Sequence, residues 1–211
     1  MAMHVDIVDC QIFAGANRLL GRSITTADST NAQRRMREAW APTARARDAT
    51  FYALRFLSQT LVPLSPPSDG DVDAYHPLQA NGGGQKQKQQ QQQQQQLAFT
   101  YSAREDFLLN RAWVLYFATL VVWSYGFALD GAIRPLYALE SQEERVRDMF
   151  GYLERVGSVK SPDELAGMRN RNACLGLLLL MKDMFRRTRW ELAHEASRLL
   201  GKCVDMLCSQ G

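Results

Sequence analysis

The stretch Ala112–Leu129, AWVLYFATLVVWSYGFAL, is eighteen consecutive residues without a formal charge, bounded by Arg111 and Asp130. A run of this length lies at the lower limit of the ~17–25 residues that cross a bilayer, and it equally suits a core helix buried on every side. Its aromatics, Trp113, Tyr116, Phe117, Trp123, Tyr125 and Phe127, are spread along the run rather than gathered at its ends as at a membrane interface. The core helix is therefore the preferred reading, with a membrane anchor over residues 112–129 as the alternative. The other apolar run, Ala173–Met181, is too short to span.

Around this segment the composition is that of a soluble chain. Of 211 residues, 46% are hydrophobic and 22% charged, with 25 basic against 22 acidic side chains and a net charge of +3. These values exclude a collagen, a wholly disordered chain and a disulfide-stapled miniprotein. Asp6 and Asp9 stand where a signal peptide requires positive charge, which argues against secretion. Cys10, Cys174, Cys203 and Cys208 are scattered through apolar periodic stretches and read as reduced core residues of an intracellular protein.

A low-complexity break divides the chain. Closely spaced Pro and Gly from Pro63 to Gly84 lead into a glutamine tract ending at Gln96. Such a segment cannot bury enough apolar area to offset its ordering entropy, so residues 64–96 are expected to be a disordered insertion between residues 1–63 and 97–211 of one helical domain. The expected fold is all-α, an irregular multi-helix bundle.

Apolar periodicity predicts a first helix from about Val5 to Leu20, closed by Gly21, and a second over Asp28–Trp40 with Asp28 as its cap. Pro42 suits the first turn of a third, whose face is Ala49, Tyr52, Ala53, Phe56, Leu57 and Leu61. Three sequence capping boxes, Ser141 with Glu144, Ser161 with Glu164 and Thr188 with Glu191, mark later helix starts. A helix over Arg169–Arg186 is expected to pair antiparallel with a last helix whose seam is Leu192, Ala196, Leu199, Cys203 and Met206. No alternating strand pattern is present.

Signatures of chemistry fail one by one. Asp69, Asp71 and Asp73 open like a calcium loop, but Ala74 and Ala80 replace its glycine and its bidentate glutamate. Glu191 and His194 form a single Glu-x-x-His pair, where a di-iron bundle needs two and further glutamates. Cys203 and Cys208, five apart, point in different directions, and the histidines at 4, 76 and 194 are isolated from one another. Gly82–Gly84 leads into glutamines instead of forming a phosphate loop between a strand and a helix. No catalytic, cofactor-binding or metal residue is therefore assigned. Arginines cluster at Arg34, Arg35 and Arg37, at Arg45 and Arg47, and at Arg186, Arg187 and Arg189, but Glu38, Asp48, Asp183 and Glu191 lie among them. That mixture does not make a DNA-gripping face, and the last group suits a helix C-terminus.

Particular segments nevertheless carry a likeness. HVDIVDCQIFAGANRLLGR (His4–Arg22), AQRRMREAW (Ala32–Trp40), ARDATFYALRFL (Ala46–Leu57), RAWVLYFATLVVWSYGFALDG (Arg111–Gly131) and RWELAHEASRLLGKC (Arg189–Cys203) resemble the C-terminal part of the fungal-specific transcription factor regulatory domain, the middle homology region. The flavour is that of factors with a two-Cys two-His zinc finger. The resemblance implies a non-enzymatic, all-helical, nuclear module that modulates RNA polymerase II transcription through the transcription machinery or the rest of its own regulatory domain. It also implies that zinc and DNA contact belong to a domain missing from this chain, which has neither Cys-x-x-Cys nor His-x-x-x-His. A fragment or shortened gene product is the expectation.

Overall fold

The computed structural model describes residues 4–19, 21–62, 109–134 and 137–209. The helices are α1 (Ile7–Phe13), α2 (Thr26–Arg34), α3 (Ala44–Leu61), α4 (Leu109–Asp130), α5 (Gln142–Gly157), α6 (Glu164–Gly167), α7 (Leu175–Arg186) and α8 (Glu191–Leu207). A π-helical segment, Arg35–Trp40, continues α2, and two short strands, β1 (Arg18–Leu19) and β2 (Arg22–Ser23), pair antiparallel. The fold is thus all-α apart from that ribbon. The glutamine-rich segment 64–96 and its aspartates lie outside the described residues.

The uncharged run is the centre of the bundle. Leu115, Leu120, Val121, Val122 and Trp123 of α4 are fully buried, and α1, the π-helical segment, α3, α7 and α8 all pack on it. Among the described residues it is the one helix long and apolar enough to cross a membrane, yet 72% of its apolar window is covered by the rest of the protein. Phe13 of α1 contacts Trp123 and Phe127, whose rings stack at 5.1 Å, and Tyr116 meets Phe185 of α7 edge-on at 6.1 Å.

Local chemistry explains where the helices differ from the sequence pattern. The first ends at Phe13 instead of Leu20 because Gly15 turns the chain at φ 85°; Gly21, expected to close the helix, adopts φ 80° in the turn of the β-ribbon. Lys202 fixes the redirected chain by donating to the Gly15 carbonyl at 2.7 Å. The second helix is capped by Thr25, with Asp28 three residues on completing a capping box, so Asp28 is the box carboxylate and not the cap. Thr43 caps α3, leaving Pro42 outside the helix. Tyr52 is 55% exposed, and the buried face runs through Ala46, Ala49, Ala53, Leu54, Leu57 and Leu61.

The Ser141–Glu144 box is present: Ser141 Oγ accepts from Glu144 N at 3.1 Å, and the Glu144 carboxylate accepts from Ser141 N at 3.0 Å. Those backbone donors hold the carboxyl below its ordinary pKa. At Ser161 the box is partial, with Glu164 accepting from Lys160 N at 3.1 Å before the four-residue α6. The Thr188–Glu191 box is absent because the Thr188 hydroxyl donates back to Phe185 O, at the end of α7. In α8 the expected seam residues Ala196, Leu199 and Cys203 are buried, joined by Ala193, Leu200 and Leu207, whereas Leu192 is 65% exposed. The two last helices do pack together, with Ser197 Oγ donating to Lys182 O across the pair.

Residues 169–174 form a loop instead of the first turns of α7. The Arg171 guanidinium and amide bind Asp130 at the end of α4, both at 2.7 Å, and Asn170 adopts φ 55°. Asn172 donates to Gly131 O, and Tyr152 to Arg171 O. With the loop so held, α7 starts with no side-chain cap of its own, and Asp148 of α5 supplies one by accepting from Gly176 N at 2.7 Å.

This clamp presses backbone on backbone. A Cβ added at Gly126 would stand 2.4 Å from Arg171 O, whereas one at Gly151, inside α5, meets nothing within 4 Å. Gly126→Ala should lower unfolding stability by about 1–3 kcal/mol. Gly151→Ala should raise it by roughly 0.5–1 kcal/mol through helix propensity. Urea denaturation of the full chain followed by circular dichroism checks both.

Candidate functional site

An open cleft of about 960 Å³ lies between the start of α1, the π-helical segment and the start of α3. Asp6 caps α1, its Oδ1 accepting from Val8 N at 2.9 Å. One turn on, Asp9 receives the Arg35 guanidinium at 2.7 Å, which stabilises the charged arginine further. Trp40 closes the cleft floor: its indole donates to His4 O at 3.0 Å, and its ring meets Tyr125 of α4 edge-on at 6.3 Å. Thr43 then donates to Trp40 O at 2.7 Å and caps α3.

The π-helical winding matters to this arrangement. Such segments are rare and concentrate at functional sites, because an extra residue per turn re-aims the side chains around it. Here Arg35 and Trp40 both reach back to the α1 region, while Arg37 lies over the rings of Phe13 and Phe127 at 5.7 and 5.3 Å. Arg45 also lines the cleft. The lining thus combines the paired Asp9 and Arg35 with Asp6, Arg45 and the apolar Val5, Ile7 and Ala39. Sequence spacing gave no sign of the Trp40–His4 or Arg35–Asp9 bonds, which join residues 36 and 26 positions apart.

The arginine clusters of the sequence are therefore dispersed in use. Arg35 pairs with Asp9, Arg37 stacks on core aromatics, Arg47 pairs with Asp163 at 3.1 Å, and Arg186 pairs with Asp183 at 3.4 Å.

Comparison with known proteins agrees with a transcriptional setting. The chain is 27% identical over 106 residues to the zinc finger protein klf1 of Schizosaccharomyces pombe, covering 50% of this chain and 13% of that protein. It is 24% identical over 203 residues to the nicotinate catabolism cluster-specific transcription factor of Emericella nidulans, covering 95% of this chain and 18% of that protein. The chain thus spans less than a fifth of the length of these relatives. No protein-family model matches it, and no solved structure matches it.

Residues with chemical potential are engaged elsewhere. His194 Nε2 lies 2.9 Å from Thr188 O, in the turn between α7 and α8, while Glu191 is exposed, so it is His194 that serves the turn. Among the described residues no three or more His, Cys, Asp or Glu side chains converge as a metal site would require. Burial pushes the thiols of Cys10 and Cys174 up to about 12 and raises Cys203 well above its usual value, with Cys208 less enclosed. A thiol so raised stays protonated and is a poor nucleophile. At pH 7.5 the native chain should release chromophore from Ellman's reagent for Cys208 alone, and slowly because partial burial raises that thiol too, and for all four cysteines only after denaturation; rapid native reaction at Cys10, Cys174 or Cys203 would contradict the packing described.

Proposed function

We propose that this chain is a non-enzymatic regulatory domain of a fungal transcription factor, a piece of the middle homology region that modulates RNA polymerase II transcription through protein contacts in the nucleus. The observation that carries the reading is the similarity along 95% of the chain to a fungal transcription factor. The all-helical fold and the mixed-charge cleft at Arg35 and Trp40 support it. The contacts run to the transcription machinery or to the remainder of the same regulatory domain. Zinc and DNA contact belong, in this reading, to a separate finger domain, and the chain itself holds no cofactor.

A membrane-anchored reading has one observation in its favour, the length and apolarity of α4. The covering of that helix by five partner segments weighs against it, since a helix cannot face lipid and its neighbours over the same surface.

Two experiments test the proposal. In a gel-shift assay the chain should give no salt-resistant, sequence-selective DNA complex, because sequence readout needs base contacts and not charge alone. Tethered to a heterologous DNA-binding domain in fungal cells, it should change reporter output relative to the tether alone, and Arg35→Glu with Trp40→Ser should diminish that change. A selective DNA complex, or a tethered chain without effect, would refute the reading.

A further inference from the structure

The turn between α7 and α8 concentrates side chains that the fold does not use. Arg186, Arg187 and Arg189 are exposed within four residues, beside Trp190, 37% exposed, and Leu192, 65% exposed. Arg186 stands in the last turn of α7 and Arg187 at its C-cap, as the sequence suggests, while Arg189 lies beyond the helix end. That end is closed by Arg187 N donating to Met184 O, by the Thr188 hydroxyl on Phe185 O and by His194 against Thr188 O. Arg186 pairs with Asp183, whereas Arg187 and Arg189 have no ion pair among the described residues. Leu192 is exposed while its neighbour Ala193 is buried, so most of its apolar surface is left uncovered within the described residues.

Tryptophan and arginine are the residue types that dominate binding hot spots, since each offers a large rigid surface with directed polar groups. Unpaired guanidinium groups next to exposed apolar side chains complement one chemistry in particular, a segment with carboxylates and apolar side chains on the same face. We infer that this turn is a docking point for a short acidic, amphipathic peptide segment of a partner protein, with the apolar side chains resting on Trp190 and Leu192 and the carboxylates on Arg187 and Arg189. Charge complementarity with Arg187 and Arg189 calls for an acidic occupant, and the exposed Leu192, which offers nothing to a phosphate backbone, selects a peptide over a nucleic acid. The surface is separate from the cleft at Trp40, and the inference does not depend on the transcriptional reading.

The probe is a fluorescein-labelled helical peptide of about fifteen residues, with Leu on one face and Glu beside it. It is titrated into the full chain while the Trp190 indole resonance is followed by NMR. Binding in the micromolar range that moves the Trp190 signal is expected, weakened about tenfold or more by Arg187→Glu with Arg189→Glu, and likewise by Trp190→Ser. Both are surface changes, and unaltered circular dichroism confirms that the variants are folded. Peptides with Ser for Leu or Lys for Glu should bind at least about tenfold more weakly. Peptide affinity unchanged by the arginine reversal would overturn the inference. So would tighter binding of a single-stranded oligonucleotide through the same arginines. A Trp190 resonance that moves, without peptide, when Asp69, Asp71 and Asp73 are changed to Asn would instead make the chain's own acidic stretch the occupant and overturn the external partner.

Discussion

Everything in this structure answers to the burial of α4. A helix in which the successive residues Leu120, Val121, Val122 and Trp123 are all fully buried has a core side chain on every side, so it has to be wrapped, and α1, the π-helical segment, α3, α7 and α8 do the wrapping. The interaction that fixes the wrap at one end is the bidentate contact of Arg171 with Asp130, with side chains only 16% and 17% exposed. At that depth an ion pair contributes chiefly by leaving no acceptable alternative, since either partner alone would be a buried, uncompensated charge. The Arg171 guanidinium also donates to Leu165 O and Ala166 O, so the α6 turn and the loop before α7 are tied to the end of α4 by one side chain.

The same clamp explains what was and was not readable from the residues. Helical class, the central segment and the Ser141–Glu144 box follow from hydropathy and spacing, because they depend on neighbours within a few residues. The start of α7 does not. Arg169–Cys174 has acceptable helix formers, but Arg171 reaches Asp130, 41 residues away, and that tertiary bond outweighs local propensity. Thr188 illustrates a second kind of failure. Its hydroxyl has two possible backbone partners, one on each flanking helix, and sequence spacing cannot tell which end the chain brings closer. The first position of the α8 seam differs for a related reason: Leu192 and Ala193 fit a 3.6-residue period about equally, and only tertiary packing selects Ala193.

The cleft was the least legible feature. Its parts, Asp9, Arg35 and Trp40, are ordinary in sequence, and its shape depends on a π-helical winding that no residue pattern announces. The basic clusters, conspicuous as sequence, turn out to be spent on separate tasks: ion pairing at Arg35 and Arg47, and stacking on the core at Arg37. What is left for recognition is a mixed-charge cleft at one place and an arginine–tryptophan turn at another. Both are consistent with the protein contacts proposed above for a chain similar to fungal transcription factors.

The central claim is that α4 is the wrapped core of a helical domain. Native-state hydrogen exchange of the full chain in buffer without detergent tests it most directly, because amides buried in the last-opening unit exchange only through global unfolding. The account predicts that amides from Leu115 to Phe127 are the slowest in the protein, with the slow set extending into α7 and α8, while those of α2 exchange through local opening. Exchange in α4 as fast as in α2, or slowed only on adding detergent or lipid, would contradict it.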